Sequence, residues 1–389
     1  MLACLLRKKV SIIPDRLIWI DFTLFLYVAV LIIGSIHAGT RESFLALGKS
    51  IYLTIVFWAF RSISNTLKEN AFAYYSNTFR LTGIVLLITS FIALGLFSLH
   101  SPTFLLDHYY DFPYTGSIVR LRAFTSSPTM LLLLLIFCFF FHLQAVSAKK
   151  EAGFTDHLLT LGYILAGVLT FSKSILLLFF GIALFYLIKL NAGTHKRYLL
   201  GFLYAITFCF LFLGTHFYPE KREAPEIMQS IPRGPYVADD IILQNKNTEI
   251  HTTIYFKLKE LCFELGKHNL LTGCGPGNFR AELVKFQAKG LYQEGNPIYD
   301  PHSTLFGAFA ETGIPGLLSL TAFLICCLLF IVKNRKYLSI HFGPIILIFA
   351  ALISIELFST DIMHIRHYWV LLGILVGTSE GLKKQKVGI

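Results

Sequence analysis

Between Asp300 and Gly316 the chain reads DPHSTLFGAFAETGIPG, directly ahead of a long apolar run. His302 in this stretch is the residue type best poised near neutral pH to take a proton from a hydroxyl during nucleophilic attack. An anionic leaving group would need cations to meet its developing charge without proton transfer, which Arg and Lys supply. Candidate cations are Lys173 in FSKS, Arg120 and Arg122 in SIVRLRAF, Lys257 and Lys259 in FKLKEL, and Arg366 in DIMHIRH. Glu311 could orient His302 from later in the same element, or face neighbouring helices. Gly273, Gly275 and Gly277 in GCGPGNF mark a turn whose backbone N–H groups can approach a ligand or a neighbouring helix closely. No Lys-Ser/Thr follows them, so this is not a P-loop.

The elements that must position these residues belong to a membrane protein. The 389 residues are 55% hydrophobic and 15% charged, with a mean hydropathy of +0.63, far from the soluble balance. Apolar stretches of spanning length predict roughly ten transmembrane helices, near 17–38, 44–63, 80–99, 128–148, 157–171, 174–191, 198–217, 314–332, 341–358 and 363–380. The fifth and sixth are read as a pair because that choice puts every basic cluster on one side: Arg7 to Arg16, Arg61 to Arg80, Lys149 and Lys150, Lys196 and Arg197, Lys333 to Lys336, and Lys383 to Lys386. Cytoplasmic loops collect such residues, so both termini are expected in the cytoplasm and the long loops 100–127 and 218–301 outside. The expected fold is an all-α polytopic membrane protein with a large periplasmic loop containing amphipathic helices. Its parts are an N-terminal bundle (1–217), the loop (218–301), and C-terminal spans with a cytoplasmic tail (302–389).

Within that loop the first half is rich in Pro and charge and is expected to be irregular. In the second half Ile254, Leu258, Leu261 and Leu265 recur at three and four, predicting an amphipathic helix that ends near Gly266; a second amphipathic segment, FRAELVKFQAKGLY, precedes Asp300. The net charge of +11 follows from basic cytoplasmic loops and does not point to nucleic acid. No cleavable signal peptide is expected. Of seven cysteines only Cys262 and Cys274 lie in the large loop, where they could pair; no Cys/His metal spacing is present.

HSTLFGAFAETGIPG resembles the hallmark of the bacterial O-antigen ligase family, within the wider ligase and polymerase superfamily: a histidine, then Asn, Ser or Gln, nine residues, and G-x-x-G. The matching positions are His302, Ser303, Thr304 to Thr312, Gly313 and Gly316. GCGPGNF is similar to the superfamily's glycine-rich turn, and TFSKS to its outward turn between two spans. Lys173 stands where the family usually has arginine, so a two-pronged grip on phosphate oxygens becomes a point charge. The arginine common at the start of the outer helix falls near Thr253 to Tyr255, where none is present. Lys257 lies one turn further on.

The resemblance implies an inner-membrane glycosyltransferase acting in lipopolysaccharide biosynthesis at the cell envelope. Such an enzyme moves a glycan from undecaprenyl pyrophosphate to the lipid A-core oligosaccharide on the periplasmic face, without metal or other cofactor. His302 would be the base for the acceptor hydroxyl, and Lys173, Arg120, Arg122, Lys257 and Arg366 would be candidates to grip pyrophosphate or glycan. Direct attack would invert the anomeric configuration. A polymerase of the same superfamily, which extends the lipid-linked glycan, is the near alternative. A polysaccharide flippase is a further one, without the internal repeats or paired broken spans that would favour it.

Overall fold

The computed structural model describes residues 18–98, 105–112, 116–189, 194–213, 216–219, 241–245, 248–251, 254–292, 298–334, 339–359 and 365–387. The N-terminal basic cluster Arg7 to Arg16, most of the Pro-rich first half of the large loop, Arg335, Lys336, Asp361 and His364 lie outside the described residues. The helices are α1 (Trp19–Ala38), α2 (Arg41–Leu67), α3 (Ala71–Ser98), α4 (Pro128–Ser147), α5 (Phe154–Val168), α6 (Ile175–Lys189), α7 (Thr194–Leu213), α8 (Ile254–His268), α9 (Phe279–Ala288), α10 (Thr304–Lys333), α11 (Ser339–Ser359) and α12 (Arg366–Val387).

Among the described residues, the segments long and apolar enough to cross a membrane are α1, the run Arg41–Phe97 that comprises α2 and α3, α4 and α10. α1 is apolar on all sides, with Phe22, Ile33 and Ile36 facing outward and Leu24 and Leu31 buried, as expected for a helix between protein and lipid. α5 and α6 are separate helices joined by the turn 169–174. At Lys68 φ becomes positive, and a short 3-10 turn over Lys68–Asn70 leads from α2 into α3. Tyr75 reaches Ser64, with 2.8 Å between their hydroxyls.

α2 and α12 pack backbone to backbone. Gly373, Gly377 and Gly381 face the backbone of Phe57, Arg61 and Asn65, where an added Cβ would collide with carbonyl oxygens. Small residues every fourth position let two backbones approach this far. Arg61, expected in a basic cluster at the membrane surface, is 1% exposed. Its guanidinium donates to Asp21 at 2.6 Å and to both oxygens of Glu380 at 2.8 and 2.7 Å, so α1, α2 and α12 are joined by one buried charge network. A lysine or arginine counted as surface charge can equally be spent inside when carboxylates on two other helices converge on it.

The described residues are almost entirely helical, as expected, and short strands are confined to the connecting segments. β1 (Leu106–Phe112) and β2 (Gly116–Leu121) form an antiparallel hairpin. β3 (His216–Pro219), β4 (Ile241–Asn245) and β5 (Thr248–His251) form an antiparallel sheet in the order β3-β5-β4. Ile241, Ile242, Thr248 and Ile250 are β-branched, the composition that favours strand over irregular chain.

Candidate active site

Ser303 caps α10, its hydroxyl accepting from the Phe306 N–H at 3.4 Å while donating to the Leu357 carbonyl on α11 at 3.2 Å. One residue earlier, His302 has φ 48°, the left-handed conformation that histidine tolerates better than most residues. Its ring centroid lies 4.5 Å from that of Tyr255 on α8 and 5.5 Å from that of Tyr299. Asp300 accepts two bonds from Arg280 on α9, at 2.8 and 3.0 Å. The histidine is thus held by a helix cap on one side, two aromatic rings, and an ion pair two residues upstream.

The nine residues after Ser303 have a geometric meaning. α10 breaks at Gly313, which adopts φ 66° and ψ −160°, a conformation open to glycine and strained for any other residue. Leu320 beyond the break lines the same cavity, about 40 Å³, as Pro301, Thr304 and Gly307 before it. Residues 304–312 are one limb, and Pro315 opens the second, where its missing N–H costs nothing. Glu311 also lines this cavity, together with Tyr27 and Leu31 of α1 and Ala46 and Ser50 of α2.

Such a break strands backbone groups, and the glycine turn satisfies them. The Ala310 carbonyl accepts from Cys274 N–H and the Glu311 carbonyl from Gly275 N–H, both at 2.9 Å; the Ile314 N–H donates to the Leu270 carbonyl at 2.7 Å. Gly273 abuts the Glu311–Thr312 peptide with no room for a side chain. On its other side the turn meets the α1–α2 connection, where the Asn278 side chain donates to Ser43 Oγ at 3.1 Å and accepts from Thr40 at 2.8 Å. The glycines thus serve a close approach to helices: the Cys274 and Gly275 N–H groups are committed to α10, and that of Gly273 to the Asn269 carbonyl. Gly316 packs under Thr312, whose hydroxyl donates to the Ala308 carbonyl at 2.6 Å. Cys262 and Cys274 are both free thiols, and burial pushes the Cys274 thiol pKa up.

Successive contacts fix the direction of α8. Tyr255 meets His302, Phe263 meets Phe309 at 5.9 Å between rings, and Leu270 meets Ile314, so α8 runs parallel to the first limb of α10. Lys257 is on its exposed face, its ammonium 2.9 Å from Glu260. Lys259 is 3% exposed, and burial holds its pKa down at about 8. Lys259 follows Tyr255 by four residues and precedes Cys262 by three, a helical spacing that marks the inward face.

A second group of candidates is brought together by the hairpin. Arg120 and Arg122 flank Leu121, whose N–H donates to the Leu169 carbonyl at 3.0 Å, and this docks β2 on the turn that carries Lys173. Thr129 at the start of α4 lies 3.0 Å from Ser172 in that turn, hydroxyl to hydroxyl. Arg120 pairs with Asp107 across the hairpin at 2.5 Å. Among the described residues, the non-glycine positions with positive φ are Lys68, Ala123, Phe171 and His302. Three of them adjoin the candidate residues; backbone strain of this kind, roughly 1 kcal/mol or more each, collects at functional sites. The two groups are bridged by α11, which receives Ser303 and also packs on α4 and α6. Arg366 begins α12 with its side chain exposed.

Tyr255, Tyr299 and Arg280 were not singled out as site residues from the sequence, whereas Lys259 was among its candidate cations. Arg280 and Asp300 are twenty residues apart, and no local pattern joins them.

No curated protein matches the chain. Residues 158–321 match the family model described as O-antigen ligase, a stretch running from α5 through the turn of Lys173, α8, the glycine turn and His302 to the second limb of α10, and by that match the chain carries a domain of the O-antigen ligase family.

Proposed function

We propose that the protein is an O-antigen ligase that transfers a glycan from undecaprenyl pyrophosphate to the lipid A-core oligosaccharide. The observation that carries this is His302, held by Ser303, Tyr255 and Tyr299 ahead of a broken helix, within the segment that matches the family. The acceptor hydroxyl oxygen attacks the anomeric carbon as its proton passes to the imidazole, and the bond to the pyrophosphate oxygen breaks. Undecaprenyl pyrophosphate leaves, and the configuration at the anomeric carbon inverts. Lys173, Arg122 and Lys259 supply positive charge to the leaving pyrophosphate. Lys259 takes the part considered for Lys257, because it faces α10 and Lys257 does not. Neither step requires a metal or cofactor. The distribution of Lys and Arg supports roughly ten spans, cytoplasmic termini and a periplasmic site.

His302→Ala, expressed in a strain lacking its own copy, tests this by the surface polysaccharide on gels. The expected result is loss of core-linked glycan while lipid-linked polymer stays long. If the lipid-linked glycan shortens instead, the protein is a polymerase. An unchanged core-linked ladder excludes His302 as the base.

A further inference from the structure

We infer that Arg280 and Asp300 form a positioning clasp that sets the orientation of His302, an inference that rests on the ligase reading. Arg280 leaves the first turn of α9 and grips both oxygens of Asp300, Nε to Oδ1 at 2.8 Å and Nη2 to Oδ2 at 3.0 Å. This two-pronged geometry is the strongest that a guanidinium and a carboxylate can make, and it fixes direction as well as distance. Asp300 is joined to His302 only through Pro301, whose φ is locked, so the orientation of the carboxylate is passed along a stiff link. His302 then occupies a left-handed conformation that its own preferences do not favour. The pair holds the chain on the upstream side of this residue, as the Ser303 cap holds it downstream.

The pair does not serve as a generic stability contact. Both side chains are more than half exposed, 58% and 57%, and exposed ion pairs contribute little to folding. α9 is itself fixed from below, since Phe279 and Leu283 are buried with Ile254, Leu258 and Leu261 of α8. The clasp therefore refers His302 to the same helix that presents Tyr255 to its ring. Arg280 could alternatively be a phosphate grip that Asp300 merely occupies between turnovers, and the two roles predict opposite behaviour.

The test uses full-length protein in lipid nanodiscs, with an undecaprenyl-pyrophosphate glycan as donor and lipid A-core as acceptor. Variants are Arg280→Gln, Asp300→Asn and the exchange Arg280→Asp with Asp300→Arg; His302→Ala is run beside them. A clasp predicts that either single variant lowers kcat roughly 10-fold, since small misplacement of a reacting group is costly, while KM for the donor is unchanged. The exchange, which restores the pair in reverse, should recover most of that loss. Overturning results are full kcat in Asp300→Asn, or a raised donor KM in Arg280→Gln without rescue by the exchange, which would make Arg280 a phosphate grip. Because these groups are exposed, the folded fraction by size-exclusion profile should match the unsubstituted protein; a collapse there together with lost kcat would make the pair structural and also sink the inference. If His302→Ala keeps its rate, the ligase reading itself fails, whatever the clasp variants do.

Discussion

Arginine and glycine are used in opposite ways at two ends of this molecule. Where α2 meets α12, Arg61 is 1% exposed and bonded to two carboxylates, and Gly373, Gly377 and Gly381 are ordinary helical residues that admit a neighbouring backbone. Around His302, the cations are less completely enclosed or, as with Lys259, are held with a depressed pKa; Gly273 and Gly313 have positive φ, the one in a turn and the other at a helix break. In the first region Arg61 has its carboxylates and the helices are regular, and its worth is stability. The second holds strain at Phe171, Ala123 and His302, and the surrounding packing maintains it. A buried charged residue is therefore not a functional signal until its partners have been counted.

The comparison is broken most severely at Arg61. Arg61→Ala leaves Asp21 buried without its partner, a loss of roughly 3–5 kcal/mol for a disrupted buried pair. The expected result is little folded protein in detergent extracts, read by size-exclusion profile. His302→Ala should extract like the unsubstituted protein. Gly377→Leu forces a side chain into the Arg61 carbonyl and should lower the melting temperature through overpacking of about 1–3 kcal/mol. Gly313→Ala acts on the other region. It strains the break and is expected to lower transfer activity more than it lowers the yield of folded protein, measured on the same preparation.

Smaller effects sharpen the contrast. The Lys259 amine, with its pKa held at about 8, is protonated below that pH and neutral above it. As a pyrophosphate contact it therefore supports kcat/KM on the acid side, and activity should fall as pH rises through about 8. Lys259→Arg stays charged and should remove that alkaline limb, whereas Lys257→Ala, on the exposed face, should leave the profile unchanged. At Lys173, arginine should preserve activity and alanine reduce it several-fold; equal rates in all three would exclude it from the site.

Much of this was legible in the sequence because helices and spans follow from hydropathy and period alone. His302, Ser303, Gly313 and Gly316 were marked by type and spacing, and the stripe Ile254, Leu258, Leu261, Leu265 marked α8. The meaning of the spacing was not legible. That Thr304 to Thr312 is one limb of a broken helix depends on Cys274 and Gly275 donating to Ala310 and Glu311 from some thirty-five residues upstream. Arg61 was misplaced for the same reason, since Asp21 and Glu380 are 40 and 319 residues away. The strands in the loops were missed because short β segments carry weak period-two patterns between turn residues.

The central claim is that His302 accepts the proton of the attacking hydroxyl. It is tested most directly by the single-turnover rate of purified His302→Ala with undecaprenyl-pyrophosphate glycan and lipid A-core, at a donor concentration that saturates the unsubstituted enzyme. General-base removal predicts a fall of roughly 10²-fold or more with donor binding intact. A rate within twofold of the unsubstituted enzyme would contradict the account.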